Sequence, residues 1–259
     1  MKNLFRLLAK VAGFVFGLVL LIAACGAYDV SRNKKLDKSV ARRYFMGNGL
    51  LTWALSPFNT LLDLLALPYV NKGVYDLKDL PEGHQAELNR LIDAAQKENL
   101  VGKMEELVKG QARTMAFWKW YGSNVDSVVD IPAFHEDYTY VQTIGLSVFN
   151  KKQSTSKHFG PFRATLRVLY NINDITDRNA YIEVGDVKHY WADKKLFIFD
   201  DTLMHQSFNE TEQVRYCLFV DILRPALSPV PFAAIVNLVR VFMSGVNHIF
   251  YNKWTVLKS

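Results

Sequence analysis

Two histidines and one arginine carry the chemistry this sequence could perform. His158 and His205 lie 47 residues apart, each beside strand-like sequence, and Arg215 follows the second histidine by ten positions. A neutral imidazole ligates divalent metals through one ring nitrogen and is a common ligand of ferrous iron. A guanidinium inside a β-strand needs an anionic partner, because an unpaired buried charge is strongly disfavoured. The layout suits a metal held in an all-β barrel, with a basic side chain behind it for an acidic cosubstrate. The competing reading of such an arginine is a structural ion pair with Asp200, Asp201 or Asp221. Two residues after His158, where non-haem iron sites often carry a carboxylate, stands Gly160. The other histidines, His84, His135, His189 and His248, have no partner pattern and read as structural.

The elements that must position these groups follow from hydrophobic periodicity. From about Gln142 the sequence turns to short β-branched or aromatic runs: Thr143–Phe149, Ala164–Asn171, Ala180–Val184, Lys195–Phe199 and Val214–Leu223. Turn residues such as Asn173-Asp174 and Asn209-Glu210 separate them, which predicts a sandwich or barrel. Period-two alternation puts Arg163, Thr165 and Arg167 on one face of their strand and Ala164, Leu166, Val168 and Tyr170 on the other. In the last strand Arg215 shares a face with Cys217 and Phe219, and Tyr216, Leu218 and Val220 take the opposite one. With both faces apolar, that strand is expected to be buried on both sides. Upstream, Leu88, Leu91, Ile92 and Ala95 mark a helix from Glu82 to about Lys109, broken near Gly102. The aromatic-rich 113–121 segment reads as core packing.

The 259 residues carry a formal charge of +6, unevenly spread. Residues 1–48 hold nine Lys/Arg against two acids, while the remainder holds 22 against 23. The basic balance belongs to the N-terminal arm, where it fits anionic phospholipid headgroups and gives no reason to expect a nucleic-acid partner. With only Cys25 and Cys217 there is no disulfide framework and no cysteine zinc site. The uncharged run Val11–Tyr28 is close to membrane-spanning length. A cleaved signal peptide and a lipobox-like Ile22–Gly26 compete with an uncleaved anchor. Six downstream positive charges against three upstream favour an anchor with the body on the cytoplasmic side of a bacterial inner membrane. Residues 49–70 form a second apolar stretch interrupted by Pro57, Asp63 and Pro68, which suits an interfacial segment or a core helix rather than a span. Residues 226–259 become apolar again. Val236, Val239, Arg240 and Met243 at helical spacing predict an interfacial helix or one packed on the barrel.

The set His158-Phe159-Gly160-Pro161, Leu166-Arg167, Trp191, Phe199-Asp200-Asp201, His205 and Arg215–Pro225 with Val220-Asp221 resembles the aspartyl/asparaginyl β-hydroxylase family. The overall plan is closest to its membrane-bound lipid A 2-hydroxylase branch. The likeness spans roughly residues 140–225. It implies an α+β, mainly β fold, a double-stranded β-helix of the jelly-roll or cupin kind, occupying residues 71–225. It implies Fe(II), 2-oxoglutarate and O₂ as the reacting set, with His158 and His205 as iron ligands and Arg215 on the distal carboxylate of 2-oxoglutarate. Arg167 falls on the family's cosubstrate- or substrate-facing strand arginine, and Ser147 where some members place a hydroxyl on that carboxylate. Leu169 stands where members commonly have histidine, and Gly160 agrees with two-histidine members. The family keeps an Asp pair at the 200–201 position beside such coordination.

Membrane-active sequence at both ends makes a membrane lipid the expected substrate, hydroxylated on an acyl chain as in lipid A. Two alternatives are β-hydroxylation of an Asp or Asn in a peptide or protein, and a membrane-tethered binding module without turnover.

Overall fold

The computed structural model of the chain describes residues 2–34, 37–243 and 254–257. The predicted strands form, and alternation along them builds two antiparallel sheets. In chain order they are β1 (Val74–Tyr75), β2 (Arg113–Trp120), β3 (Ser123–Asn124), β4 (Val141–Phe149), β5 (Gln153–Ser154), β6 (Thr165–Asn171), β7 (Ala180–Val184), β8 (Val187–Tyr190), β9 (Leu196–Phe199), β10 (His205–Asn209), β11 (Arg215–Leu223) and β12 (Thr255–Val256). The larger sheet runs β1-β9-β6-β11-β4-β2-β12, with β3 on β2, and the smaller one β5-β10-β7-β8. β12 is the parallel member, against β2.

Register decides which side chains meet. In β11, Cys217 lies opposite Ser147 of β4 and Asn171 of β6, and Asp221 lies opposite Arg167. The inner face of the larger sheet (Met115, Leu169, Cys217, Phe219) packs with Ala180, Ile182 and Val184 of the smaller sheet and with Trp191, Phe197 and Phe199. The outer face (Leu146, Val148, Leu166, Val168, Leu218, Val220) is covered by Leu88, Leu91 and Ala95 of one helix and Leu100 and Met104 of the next. All nine residues of β11 are buried, as its two apolar faces predict.

These covering helices are one predicted helix divided. The chain forms Glu82–Lys97 and Leu100–Glu105, and the break falls at Asn99 rather than near Gly102. Asn99 takes a left-handed φ of 47°, which Asn tolerates, and its side-chain oxygen accepts from the Gly102 amide at 3.4 Å. The aromatic 113–121 segment is mostly β2. Its Phe117 packs against the inner cluster, and Trp118 is buried on the helix side, its indole N–H on the Val129 carbonyl at 2.6 Å.

The N-terminal segment opens with α1 (Lys2–Ser31), 30 residues long and holding an 18-residue stretch of mean hydropathy 2.5, long and apolar enough by length and composition to cross a membrane. α2 (Lys38–Arg42), a π-helical turn Arg43–Gly47, α3 (Leu50–Ala54) and α4 (Ser56–Leu65) follow. Residues 49–70 thus make two short helices and no span. Leu62 and Ala66 are buried, Leu61, Leu64 and Leu65 are exposed, and Asp63 is ion-paired. The C-terminal helix Val230–Met243 buries Phe232 and Val236 against Leu62, Phe162 and Leu223, and leaves Val230 and Leu238 exposed. His248 and Lys35 lie outside the described residues.

Candidate active site

His158 and His205 meet backbone to backbone, although 47 residues separate them. His158 N–H donates to the His205 carbonyl at 3.0 Å, and His205 N–H to that of His158 at 2.8 Å. This bridge extends β10 and sets the imidazoles side by side, ring centroids 4.1 Å apart. Each Nδ1 faces a backbone carbonyl: Ser156 at 2.7 Å for His158, and Leu203 at 2.9 Å for His205. A carbonyl can only accept, so both Nδ1 atoms carry the proton and both Nε2 lone pairs remain for a metal. Burial, reinforced by the neighbouring His205, pushes the His158 pKa down to about 4, so its imidazole is neutral at pH 7.

The Asp pair has two separate tasks. Asp200 turns away from the histidines. One oxygen accepts from the Thr202 amide and hydroxyl at 2.8 and 2.7 Å, and the other meets Arg32 at 2.6 Å and Asn71 at 2.7 Å. Asp201 turns inward. Its Oδ1 lies 3.4 Å from His205 Nε2 and 3.3 Å from an Arg167 nitrogen, and is buried without a hydrogen bond. Burial alone would raise this carboxyl, but the charge of Arg167 beside it holds it below the usual range. The Gly160 amide donates to the Asp201 carbonyl at 2.8 Å. A Cβ at position 160 would stand 2.8 Å from that carbonyl and run into the Asp201 carboxylate. Position 160 therefore has no room for a carboxylate side chain. Among the described residues no group of three His, Cys, Asp or Glu is arranged to hold a metal ion. The donor set fits a divalent ion with two histidine ligands, with Asp201 close enough to act on it through water.

Arg215 opens β11 and is 1% exposed. Its Nη2 donates to the Ser207 hydroxyl at 3.1 Å, and its guanidinium carbon lies 4.3 Å from the Phe149 ring centroid and 5.2 Å from that of Trp191. Nε and Nη1 have no partner, and no carboxylate among the described residues lies within ion-pair distance. The structural ion pair that sequence leaves open is thus not formed. Burial lowers the Arg215 pKa, although no neighbouring cation contributes. The indole N–H of Trp191, which sequence marks only as a point of resemblance, is also buried without an acceptor. These orphaned donors, beside an imidazole pair with free lone pairs, are what a buried anionic ligand would satisfy.

The other two candidates lie on the same inner face. Ser147 donates to the Cys217 carbonyl across the sheet at 3.3 Å. Arg167 donates from Nε to Asp221 at 2.6 Å, reaches Asp201, and lies 3.8 Å above the Phe219 ring. Arg163 leaves that face. It is buried in contact with Asp29 at 2.5 Å, Asp63 at 2.7 Å and the Thr202 hydroxyl at 3.0 Å. Of the remaining histidines, His84 Nε2 bonds the Leu223 carbonyl and His189 Nε2 the Lys194 carbonyl. His135 lies 3.4 Å from Asp130.

Sequence reasoning gave no role to three asparagines of the N-terminal segment, yet they grip the backbone next to both histidines. Asn33 accepts from the Met204 amide at 2.8 Å. Asn48 both donates to the Phe159 carbonyl at 2.8 Å and accepts from its amide at 2.9 Å. Asn59 does the same between the Pro161 carbonyl at 3.0 Å and the Arg163 amide at 2.9 Å. No local pattern announces these contacts, which span 102 to 171 residues.

Comparison with known proteins identifies the family. The family model described as aspartyl/asparaginyl beta-hydroxylase matches residues 93–225. The ornithine lipid ester-linked acyl 2-hydroxylase of Rhizobium tropici is 29% identical over 221 residues, covering 77% of this chain and 76% of that protein. Among solved structures, AviO1 from Streptomyces viridochromogenes Tue57 is 14% identical and covers 62% of this chain and 91% of its own, with a TM-score of 0.34. Salicylate 1,2-dioxygenase from Pseudaminobacter salicylatoxidans is 11% identical and covers 55% and 35%, with a TM-score of 0.30. With the family model matching half of its length, and both histidines, Arg167 and Arg215 inside the matched span, the chain belongs to the aspartyl/asparaginyl β-hydroxylase family.

Proposed function

We propose that the chain is an Fe(II)- and 2-oxoglutarate-dependent dioxygenase that hydroxylates an acyl chain of a membrane lipid, at C2 as in lipid A modification. The body would be a double-stranded β-helix facing the cytoplasm from the bacterial inner membrane. The observation that carries this reading is Arg215, a buried cation with two unpartnered N–H groups and no protein carboxylate. A dicarboxylate that reaches it from the histidine pair would supply the missing acceptor.

In this reading His158 and His205 hold the metal through Nε2, each oriented by its Nδ1–H on a backbone carbonyl. Arg215 grips the far carboxylate of 2-oxoglutarate, and Trp191 and Ser147 stand near it on the same inner face. Ferrous iron and 2-oxoglutarate, when bound, supply the oxygen activation and the reducing electrons that an unactivated C–H bond requires. Asp201, held ionised by Arg167, accepts hydrogen bonds from water at the open side of the pair. Leu169, Phe197, Phe199, Leu203 and Phe219 line the inner face and exclude bulk water from the reacting carbon.

Arg167 favours a lipid over an acidic peptide side chain, because Asp221 and Asp201 already neutralise it. The relative's printed activity, acyl 2-hydroxylation of a membrane lipid, supports the same substrate class, as does α1. The test is succinate formation by purified full-length protein with Fe(II), 2-oxoglutarate and membrane lipid extract, with mass spectrometry of the lipid. Hydroxylated acyl chains that vanish in His205→Ala are expected. Equal succinate release from wild type and His205→Ala would refute the metal assignment, and an unchanged lipid profile the substrate class.

A further inference from the structure

The back of the histidine bridge carries a recess that the proposed chemistry does not use. It has a volume of about 450 Å³ and is lined by Ser39, Arg42, Arg43, Met46, Gly47, Lys157 and Met204. Lys157 and Met204 immediately precede the two histidines, and successive side chains of extended backbone point to opposite sides. Met204 accordingly packs on Val40, Tyr44 and Phe159, while His205 faces Phe199 within the sheets. The recess therefore lies on the far side of the bridge from the imidazoles.

Its charge is one-sided. Three of the seven lining residues are cations and none is an acid. Among the described residues no carboxylate forms an ion pair with Arg42, Arg43 or Lys157. The Arg43 side chain folds over Gly47, where its Cδ would lie 3.0 Å from an added Cβ, and its Nε is buried without a hydrogen-bond partner. A neighbouring recess, which shares Lys157, holds three acids: Asp37 caps α2 through the Ser39 and Val40 amides, Glu183 meets Lys188 at 3.8 Å, and Asp186 lines it beside Lys188, none of them lining the cationic recess itself. Beside the cations the surface turns apolar: Phe45, Met46, Leu50 and Leu51 are exposed, Met46 at 82%. The site also lies just past the C-terminal end of α1. Cations at the rim of an exposed apolar patch, where a membrane-length helix ends, match the junction of headgroup and acyl layers.

We infer that this recess seats the phosphate of an anionic bilayer phospholipid, a docking lipid distinct from the substrate. Arg43 Nε and Arg42 supply donors to the phosphate, Lys157 closes over it, and Met46 and Phe45 meet its acyl chains. The inference stands whatever the substrate proves to be.

Native mass spectrometry of the detergent-solubilised full chain tests it, with short-chain phosphatidylglycerol, phosphatidylcholine and glycerol phosphate as probes. Wild type is expected to retain one phosphatidylglycerol per chain in preference to phosphatidylcholine. R42Q/R43Q/K157Q is expected to lose that adduct about a hundredfold, since each cation near an anionic surface contributes about fivefold. K2Q/R6Q/K10Q, at the other end of α1, should retain it. R42Q alone, at an exposed position, should show a partial loss and covers the case of a triple variant that does not fold. Equal retention of the two phospholipids, unchanged retention in R42Q, or competition by glycerol phosphate as strong as by the lipid would overturn the inference.

Discussion

Replacing Arg215 by methionine separates a ligand-binding arginine from a structural one by the sign of the stability change. In the ligand-free protein the guanidinium leaves Nε and Nη1 buried and unpaired, each costing about 1–3 kcal/mol. The hydrogen bond to Ser207 returns about 1.5–3 kcal/mol. The contacts with the Phe149 and Trp191 rings return about 1–2 kcal/mol in all. The ligand-free protein therefore gains nothing from the charge. Arg215→Met, of similar length and apolar, is expected to unfold at the same temperature or up to several degrees higher, with about 1 kcal/mol moving the midpoint about 2–4 °C. Binding should change the other way. Loss of one partner of a buried charge pair costs about 2–5 kcal/mol, so the affinity for 2-oxoglutarate with redox-silent Mn(II) should fall roughly 30-fold to several thousand-fold. The assay is thermal unfolding and calorimetric titration of both proteins in the same detergent. If Arg215→Met lowers the ligand-free midpoint by several degrees and binds 2-oxoglutarate as wild type does, the arginine is structural and the cosubstrate assignment fails.

The asparagine grips and the close packing at Gly160 give further expectations. Asn48→Ala removes both bonds to the Phe159 backbone and should weaken Co(II) binding about 10–100-fold, as loss of ligand-orienting partners does. An unchanged titration would show that the bridge holds itself. Gly160→Asp places its side chain against Asp201, so it should lower stability by about 1–3 kcal/mol and weaken metal binding. Tighter binding would mean that position 160 does accept a ligand. Burial depresses the pKa values of His84, His158 and His189, the last two to about 4. The unfolded chain then binds more protons than the folded one between about pH 4 and 6.5. Metal-free stability should be full above pH 6.5 and fall as the pH drops through that window. A flat profile between pH 7 and 4.5 would contradict that sign.

Short β-branched or aromatic runs set off by turn residues locate β4, β6, β7, β9 and β11 to within two residues, because such side chains suit a pleated buried surface, and period-two alternation within them assigns the faces. The same rule placed Arg215 on the face of Cys217 and Phe219, which proved to be the inner one. It failed for Arg163, which lies two residues before β6 begins, where the backbone no longer alternates with the sheet. Strand β2 was hidden because Arg113–Trp120 mixes charged and aromatic residues on one face and Thr114 with Trp118 and Trp120 on the other, so no apolar period stands out. β10 was hidden because its buried side chains, His205, Ser207 and Asn209, are all polar, so the strand shows no apolar face. Local sequence also could not say that Arg215 lacks an anion while Arg167 has two. Asp200, Asp201 and Asp221 all lie near enough in sequence to have served either, and only the register between β6 and β11 assigns Asp221 to Arg167.

The N-terminal segment is built into the body of the protein, and the charges at its base show how. Asp29, Asp63 and Asp200 face Arg32, Arg163 and Arg224 in one connected, charge-balanced cluster: Arg163 joins Asp29 to Asp63, Arg224 meets Asp63 at 2.6 Å, and Arg32 meets Asp200 at 2.6 Å. Buried ion pairs add little net stability over apolar packing, but removing one partner strands the other, at a cost of about 3–5 kcal/mol. Such a cluster therefore fixes geometry rather than strength. What it fixes here is the turn Asp200–Met204, whose Thr202 hydroxyl takes bonds from both Arg32 and Arg163. That turn aims Asp201 at the histidine pair and delivers His205 to its bridge. Arg32 and Arg163 tie the end of α1 to the turn Asp200–Met204, so the end of the membrane-length helix helps set where Asp201 and His205 stand.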